Sequence, residues 1–317
     1  MRVFAVLLFF ALLAGCQRQP SKTIGVVPKG ANHVFWQTVR AGAVKAARQA
    51  GYQVEWNAPE LEIDASRQIA IVESMINRQV AGIALAPVDR KALVSVVERA
   101  GKAGIPVAIF DSAIDTRQRI SYVATDNVAG GRLAARRLAE IIGNQGKVAV
   151  ITFMAGSAAT EERTHGFEDE IRAKFPGIDI VARQFGMANR AKSMAVTENI
   201  MTAHPDLAGL FADNESSSSG AVQALKARNN RRVKMVAFDH AENLLEDMKA
   251  GWIDSLLVQN PFKMGEASTE AILTKLRGQT PLAAIDSGIA LVKKDDLDKP
   301  AMKALLFPDI GRYLKAQ

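Results

Sequence analysis

The sequence predicts an α/β fold of two similar lobes, each built on a mainly parallel β-sheet. Short β-branched segments alternate with longer amphipathic segments across residues 24–292, which is the pattern of successive βαβ units. That pattern occurs twice, with a nearly constant offset between the two copies. The chain has 317 residues, which is more than one ordinary core supports and is suited to two lobes.

Eight segments have the length and composition of β-strands, and each is followed by a helical pattern. The predicted strands span residues 24–27, 53–56, 82–86, 107–110, 148–152, 179–182, 209–212 and 233–238. Apolar residues recur at helical spacing between them, for example at Phe167, Ile171 and Phe175. The succession of strand and helix therefore predicts parallel sheets that are covered by helices.

An internal duplication relates the two halves of the chain. Gly42 and Gly166, each 18 positions after the start of a predicted strand, are separated by 124 residues. An Ala-Gly-aliphatic tripeptide recurs after 127 residues, and Asp111 and Asp239, each at the end of a strand, are separated by 128. Such steady offsets predict two lobes of one topology, although strand–helix proteins also share generic patterns.

The matched aspartates indicate a binding site between the lobes. In an open parallel sheet, ligands bind beyond the carboxyl ends of the strands. If the two lobes face each other, Asp111 and Asp239 point into one cleft. A strand-end aspartate often serves only as the N-cap of the next helix, and this alternative stays open for each residue alone.

The loops at the predicted strand ends carry side chains that suit a polyhydroxylated solute. A buried hydroxyl without a partner costs on the order of 1 to 3 kcal/mol, and carboxylates, amides and guanidinium groups satisfy hydroxyls with strong hydrogen bonds. The candidate polar residues are Lys29, His33, Asp111, Arg163, Asn214, Asp239 and Gln259. Phe35 and Trp36 are adjacent at the start of a helix, so at least one is free to leave the core side and pack on a sugar ring.

The N-terminal segment predicts export. Arg2 precedes an apolar run over residues 3–13, which is too short for a membrane span and has the length of a cleaved signal peptide. Residues 13–16, Leu-Ala-Gly-Cys, resemble the lipobox of bacterial lipoproteins. This resemblance implies a signal peptide over residues 1–15, lipidation of Cys16, a tether over residues 16–21 and membrane attachment through the lipid anchor only. The alternative is an ordinary buried cysteine near the start of a core helix.

Other functional classes find little support in the sequence. The formal net charge of +7 is spread along the chain as on a solvated surface, and no helix-turn-helix motif indicates nucleic-acid binding. Motifs of the HExxH, GxSxG and GxxxxGK types are absent, and the serines at 216–219 are interpreted as capping a helix. We therefore expect a protein that is not an enzyme and has no metal or cofactor. Asp111 and Asp239 as a glycosidase pair remain the enzymatic alternative.

Several motifs carry a resemblance to a known family. They include Asn-His-Val-Phe-Trp at residues 32–36, Thr-Asp-Asn-Val-Ala-Gly-Gly at 125–131, Glu-Arg at 162–163, Ala-His-Pro-Asp at 203–206 and Phe-Asp at 238–239. With these motifs, about residues 23–292 resemble the type I periplasmic binding proteins, close to their ribose- and allose-binding branch. The resemblance implies two Rossmann-like lobes joined by three hinge strands, hinge closure around a ligand, and delivery by a monomer to an ABC permease.

The resemblance also implies particular ligand contacts. The contacts of the family fall on Phe35, Trp36, Asp111, Arg163, Asn214, Asp239 and Gln259. Lys29 replaces a serine of the ribose binders and resembles the allose-binding pattern, and His33 replaces an asparagine. Ser112 replaces an arginine, and Ala188 lies near the position of a stacking aromatic residue. These departures predict a pocket that differs from a ribose pocket.

The lobe boundaries and the biological role follow from the same resemblance. Lobe one is expected to comprise residues 22–125 and 260–286, and lobe two residues 126–259 and 287–317. We expect an exported, lipid-anchored protein, on the periplasmic or outer face of the membrane, that captures a sugar or polyol for transport. A sensing role, in which the closed form contacts a chemoreceptor or sensor kinase, is the alternative that the residues leave open.

Overall fold

A computed structural model of the protein describes residues 21–31 and 33–315. These residues form two α/β lobes, each with one six-stranded sheet, and the predicted fold class is confirmed. The predicted signal peptide and the lipidation site Cys16 lie outside the described residues. Among the residues described, no helix is long and apolar enough to cross a membrane.

The sheet of lobe one is parallel throughout and runs in the order β2-β1-β3-β4-β5-β11. Its strands are β1 (Thr23–Val27), β2 (Gln53–Trp56), β3 (Gly82–Leu85), β4 (Val107–Phe110), β5 (Ser121–Ala124) and β11 (Ala284–Asp286). Its helices are α1 (Val34–Gln49), α2 (Ala65–Asn77), α3 (Val94–Lys102) and α9 (Pro261–Leu276).

The sheet of lobe two runs in the order β7-β6-β8-β9-β10-β12 and is parallel except for β12, which is antiparallel to β10. Its strands are β6 (Gly146–Thr152), β7 (Ile178–Phe185), β8 (Leu207–Ala212), β9 (Lys234–Phe238), β10 (Ser255–Gln259) and β12 (Ile289–Lys293). The helices that follow or precede them are α4 (Asn127–Ile141), α5 (Ala158–Lys174), α6 (Arg190–Ala203), α7 (Glu215–Ala227), α8 (Glu242–Lys249) and α10 (Pro300–Leu306), with a 3-10 turn at Lys294–Asp296.

The central strands are apolar without interruption because helices cover both faces of each sheet. All residues of β3 and β4 are buried. Five of the helices begin at a side chain that accepts a hydrogen bond from a backbone N–H three residues further on, namely Asp64, Asp126, Asn189, Asn214 and Asn260. The cap of α7 is therefore Asn214, and the interpretation of the serines at 216–219 as its cap is wrong.

The repeated glycines mark equivalent helix crossings in the two lobes. In lobe one, α1 crosses α9 at Gly42 and Gly265, and a Cβ atom added at Gly42 would lie 2.0 Å from the carbonyl oxygen of Phe262. In lobe two, α4 crosses α5 at Gly131 and Gly166, and a Cβ atom at Gly131 would lie 2.0 Å from the carbonyl oxygen of Arg163. Glycine is required at these points because two helix backbones touch.

Two features of the predicted secondary structure need correction. All eight predicted strands are present, but β4 is followed by a loop over residues 111–120 and then by β5, and no helix intervenes. The four strands that the sequence pattern did not predict are β5, β10, β11 and β12. β5 and β11 are only four and three residues long, and two of the three residues of β11 are exposed, so neither has a strong apolar pattern.

The hinge consists of three crossings of the chain between the lobes, at residues 125–126, 260 and 287–288. Two of these crossings are bonded to each other and to the end of β10. The hydroxyl of Thr125 lies 3.0 Å from Gln259 Oε1 and 3.3 Å from Ser287 Oγ. The backbone N–H of Ser287 donates to the carbonyl oxygen of Ala124 at 2.9 Å. The crossings therefore form one compact hinge.

The segment after β12 contacts both lobes. Leu306, in α10, is buried in the core of lobe two, and its carbonyl oxygen forms a 3.0 Å hydrogen bond with His240 Nε2. Helix α11 (Gly311–Leu314) packs instead against α1 of lobe one. There the ring of Tyr313 lies 5.7 Å from the ring of Phe262.

Candidate ligand-binding site

A cavity of about 610 Å³ lies between the lobes, at the carboxyl ends of both sheets. Its lining includes all nine candidate residues from the sequence, which are Lys29, His33, Phe35, Trp36, Asp111, Arg163, Asn214, Asp239 and Gln259. The structure therefore brings together residues that are up to 230 positions apart in the chain. Their role in binding stays a prediction.

The two matched aspartates share an uncommon backbone conformation. Asp111 has φ 61° and Asp239 has φ 68°, both in the left-handed region. The N–H of Asp111 donates to Val123 in β5, and the N–H of Asp239 donates to Leu257 in β10. Neither residue is the N-cap of the next helix, because a strand follows Asp111 and Ala241 is the N-cap of α8. The left-handed turn directs both side chains into the cavity instead.

Asp111 is paired with a buried cation. Lys29 Nζ lies 2.8 Å from Asp111 Oδ2, and both side chains are almost inaccessible to solvent. The same ammonium group donates to Ser112 Oγ at 2.8 Å and to Ser157 Oγ at 3.4 Å. Ser112, the residue after Asp111 in the chain, therefore accepts a hydrogen bond from Lys29.

Asp239 is held by neutral donors of its own lobe. Gln259 Nε2 donates to Asp239 Oδ1 at 2.6 Å, and the backbone N–H of Glu215 donates to Asp239 Oδ2 at 3.1 Å. Gln259 also accepts from the hinge hydroxyl of Thr125. The carboxylate of Asp239 is therefore connected directly to the hinge.

Arg163 is held by groups of its own lobe. Its Nε donates to Asn127 Oδ1 at 2.8 Å, and its Nη1 donates to the carbonyl oxygen of Asp213 at 2.9 Å. The guanidinium carbon lies 3.9 Å from the centre of the Phe238 ring, a stacked cation–π contact. Phe238 lies behind the guanidinium and does not line the cavity.

The adjacent aromatic residues lie at the boundary between core and cavity. Phe35 and Trp36 are 7% and 4% exposed, both pack in the apolar core of lobe one, and both line the cavity. Their rings are perpendicular, with centroids 4.8 Å apart. Both rings face the core, which the sequence pattern did not lead us to expect, and both also reach the cavity at the strand ends, because a residue at the end of the core contacts both. Trp36 Nε1 donates to Glu62 Oε1 at 2.7 Å.

Glu62 and Glu215 complete a charged group with His33. His33 Nε2 lies 2.9 Å from Glu215 Oε2, and the two residues belong to different lobes. Burial disfavours the charged imidazolium, but the hydrogen bond and charge of Glu215, with the charges of Glu62 and Asp239, outweigh it and raise the pKa of His33. Burial also disfavours ionised Glu215, but contact with His33, Ser219 and Arg190 lowers its pKa to about 2.

The Glu62 carboxyl has the opposite shift. Burial raises the pKa of Glu62, and the nearby His33, Trp36 and Lys29 only partly offset that rise. Sequence reasoning did not select Glu62, which lies in the loop after β2. The rule that ligands bind beyond strand carboxyl ends applies to this loop as well, and it was the signal available for finding Glu62.

Several bonds cross from one lobe to the other around the cavity. Besides the contacts of Lys29 with Ser157 and of His33 with Glu215, the N–H of Ala159 donates to Ser112 Oγ at 3.1 Å. The lobes are therefore closed on each other in this structure. Within residues 21–31 and 33–315 no group of three or more His, Cys, Asp or Glu side chains is arranged to hold a metal ion.

The chain and its fold have clear relatives among known proteins. A sequence model of the periplasmic binding protein domain matches residues 24–280. The chain belongs to the periplasmic binding protein family. The resemblance read from the sequence motifs is thereby confirmed.

Individual members of the family show how close the similarity is. The D-ribose/D-allose-binding protein of Pseudomonas aeruginosa is 32% identical over 283 residues, which cover 86% of this chain and 88% of that protein. A carbohydrate transporter solute-binding protein of Agrobacterium radiobacter, solved in complex with D-arabinose, has a TM-score of 0.88 and 32% identity, covering 91% of this chain and 99% of that chain. An ABC transporter solute-binding protein of Agrobacterium vitis with bound D-fucose has a TM-score of 0.87 and 33% identity, covering 90% and 100%.

Proposed function

We propose that this periplasmic binding protein captures a sugar or related polyol in the cavity between its lobes. One observation carries the proposal. The cavity combines two carboxylates on left-handed turns, a fixed guanidinium group and two aromatic rings at a single site between the lobes. All nine candidate residues are proposed as ligand contacts.

The chemistry of these groups suits a ring that bears several hydroxyls. Asp111 and Asp239 accept hydrogen bonds from hydroxyls, whereas Arg163 donates to ring and hydroxyl oxygens. Phe35 and Trp36 offer apolar surface to the C–H groups of the ring. Proteins similar to this one have been solved with D-arabinose and D-fucose, which are neutral sugars of this chemical class.

Closure of the two lobes supplies the proposed mechanism. The residues of lobe two are held by partners of the same lobe, so they can receive a ligand while the cleft is open. Closure then adds Lys29, His33 and the aromatic rings of lobe one. We propose that an ABC permease accepts this closed form, which the ABC transporter membership of a solved relative supports.

We further propose the lobe boundaries 22–125 plus 260–286 and 126–259 plus 287–317, and anchoring at the membrane through Cys16. The assignment of β11 to one sheet and β12 to the other supports the boundary between residues 286 and 287. The lipobox sequence supports the anchor. Globomycin, an inhibitor of lipoprotein signal processing, and mass spectrometry of the N-terminal peptide test it.

Binding without cleavage is the outcome that we expect. Each aspartate is already engaged by donors, Asp111 by Lys29 and Asp239 by Gln259. Incubation with disaccharides and chromatography of the products tests this point, and released monosaccharide would contradict it.

A thermal-shift screen tests the function directly. A ligand that binds only the folded state raises the melting temperature. At a ligand concentration 100 times the dissociation constant, binding adds about 2.7 kcal/mol to the free energy of unfolding. We expect one or a few pentoses or hexoses to stabilise the protein, with affinity then measured by isothermal titration calorimetry. No shift from any sugar, polyol or nucleoside would contradict the proposal, and uptake of the labelled ligand by a deletion strain separates transport from sensing.

A further inference from the structure

The loop after β2 places a carboxyl in the cavity that is not among the nine candidate contacts. Glu62 lies in this loop, shortly before Asp64, the N-cap of α2, and it lines the cavity. The candidate residues of lobe one all lie in the segments after β1 and β4. Glu62 therefore brings a third segment of lobe one to the site.

One oxygen of this carboxyl holds the indole ring of Trp36. Trp36 Nε1 donates to Glu62 Oε1 at 2.7 Å, and an indole has no other donor. Trp36 is one of the two aromatic residues that are proposed to pack on the ring of the solute. The contact therefore fixes Glu62 beside a surface that the solute is proposed to touch.

The side chain of Glu62 lies directly against a glycine of the segment after β1. A Cβ atom added at Gly30 would lie 2.5 Å from Glu62 Cγ and 3.0 Å from Glu62 Oε1. The backbone of Gly30 is not left-handed, so this position needs glycine for the space that the side chain of Glu62 fills. Lys29 and Ala31, on either side of Gly30, also line the cavity. The carboxyl of Glu62 is therefore held against one wall of the cavity.

The two cationic side chains that act on Glu62 are each bound to another carboxylate. Lys29 pairs with Asp111 at 2.8 Å, and His33 pairs with Glu215 at 2.9 Å. Burial raises the pKa of Glu62, and the charges of His33 and Lys29 offset only part of that rise. Among the residues that the structure describes, none forms an ion pair with Glu62.

The second oxygen of Glu62 is available to a bound solute. Within the described part of the chain, Trp36 alone forms a hydrogen bond with this carboxyl, and it does so at Oε1. A polar atom without a partner costs free energy once closure of the lobes excludes water, so Oε2 should be satisfied by the solute. A hydroxyl group suits Oε2 in either protonation state of the carboxyl, because a hydroxyl both donates and accepts.

We propose that Glu62 is a specificity-determining contact, which binds one hydroxyl group of the solute through Oε2 while Oε1 holds Trp36. The inference rests on the proposed function, because it requires a sugar or polyol in the cavity. A solute with a hydroxyl at this point is favoured over an analogue that lacks it, since the analogue leaves a buried carboxyl unsatisfied. Glu62 therefore selects among sugars that the nine candidate contacts accept equally.

The experiment removes the carboxyl and the hydroxyl separately and together. The probe is the sugar or polyol that gives the largest shift in the thermal-shift screen, and calorimetry compares it with each of its monodeoxy analogues. In the native protein, loss of the hydroxyl that contacts Glu62 should weaken binding about tenfold. In Glu62→Ala the same deoxygenation should weaken binding less than threefold, whereas the other deoxygenations keep the cost that they have in the native protein.

A second variant displaces the carboxyl without removing it. In Gly30→Ala the added methyl group occupies the place of the Glu62 side chain, so discrimination at the same hydroxyl should fall from about tenfold to less than threefold. Glu73→Ala is the matched control, because Glu73 is also in lobe one but pairs with Arg99 outside the cavity. It should keep the native affinities and the native discrimination, and unfolding curves verify the fold of all three variants.

The outcomes separate the two proposals. If Glu62→Ala weakens the probe and all its monodeoxy analogues by one common factor, Glu62 only positions Trp36, and the contact is overturned while sugar binding stays in place. Unchanged affinity of Glu62→Ala for the probe would overturn the contact in the same way. Failure of every sugar and polyol to bind the native protein would overturn both proposals.

Discussion

The two lobes share one topology but hold their cleft residues in different ways. In lobe two, Arg163 and Asp239 are bound by Asn127, Gln259 and backbone groups that all belong to that lobe or to the hinge. In lobe one, Lys29 and His33 reach across to Ser157 and Glu215. Lobe two is therefore organised without closure, whereas lobe one gains part of its order from it. Duplication has preserved the fold, and the two faces of the cleft have become different.

Arg163→Ala is expected to have the largest effect on ligand affinity if lobe two is the organised side. Removing a partner from charged hydrogen bonds costs about 1.5–3 kcal/mol, so affinity should fall about 100-fold, measured by calorimetry. Arg190→Ala is the control, because Arg190 also lines the cavity but its side chain is 58% exposed. Preserved affinity in the Arg163 variant would mean that lobe two does not dominate binding.

Asparagine at the matched aspartates tests how each lobe holds its own carboxylate. Asparagine tolerates the left-handed backbone at both positions. Asp111→Asn leaves the buried Lys29 without its counterion and should lower the free energy of unfolding by about 3 kcal/mol. Asp239→Asn keeps an acceptor for Gln259 and should cost about 1 kcal/mol. Denaturant unfolding without ligand measures both, and equal losses would remove this difference between the lobes.

The helix crossings test the similarity of the lobes. Gly42→Ala and Gly131→Ala each place a methyl group against a backbone carbonyl oxygen, so each should lose about 2 kcal/mol or more of stability. Gly101→Ala is the control, since a Cβ there meets only the flexible side chain of Gln118 and should stabilise α3 by about 0.5–1 kcal/mol. A large loss in one lobe and none in the other would argue against equivalent crossings.

Directly behind the strand ends, lobe two buries a carboxyl where lobe one buries a neutral amide, so the two lobes differ in pH dependence at that depth. Behind its strand ends, lobe one buries the neutral amide of Gln68, which bonds to the backbone of Pro28, Ala86 and Val88. Lobe two buries Asp213, which accepts from Thr152 and Thr164, and burial raises its pKa to about 7.

The sign of this effect follows from proton binding. Between pH 4 and 7 the unfolded state has released the Asp213 proton and the folded state has kept it, so stability falls as pH rises. Between pH 6 and 7 the fall should be about 1 kcal/mol, and Asp213→Asn should remove it. Chemical unfolding at a series of pH values measures this, and an unchanged slope in the variant would exclude Asp213 as the source.

The smallest expected effect is a pH dependence of lobe closure, and it comes from the contact of His33 with Glu215. The raised pKa of His33 belongs to the closed form, because opening separates the imidazolium from Glu215. The contact stabilises closure fully below the ordinary histidine pKa of about 6.5 and is lost as pH rises through the raised value. Ligand affinity should fall severalfold over that range, and His33→Gln should flatten the profile.

His165→Gln is the control for that titration. The side chain of His165 is 73% exposed, and its partner Asp169 lies on the same helix, so this pair has no contact across the cleft. An unchanged pH profile in the His33 variant, or a flattened profile in the His165 variant, would contradict the assignment.

Residues at strand ends could be predicted from the sequence because their position follows from local pattern. Asp111 and Asp239 were recognisable from an apolar run followed by a carboxylate, repeated at a steady offset. The strand order within each sheet is not local information. Met187, in the loop after β7, lines the cavity because that loop bonds back to Phe153 after β6, and no local pattern in the sequence states this contact.

Contacts between the lobes likewise could not be predicted from sequence patterns. The pairing of His33 with Glu215 depends on how far the cleft closes, and the two residues are 182 positions apart. The short strands β5 and β11 form because partners in the sheet bond them, while their own residues carry a weak apolar pattern. Tertiary pairing decides such elements.

The segment that links α10 to α11 sets a limit on the range of hinge motion. Leu306 is fixed in lobe two and Tyr313 rests on lobe one, so the chain between them is a further connection of the lobes beside the three hinge crossings, held at each end by packing. Only six residues separate the two attachment points. A wide rotation of the lobes must extend this connection or detach α11 from α1. The connection therefore limits how far the lobes can open, a restriction that the three hinge crossings alone do not provide.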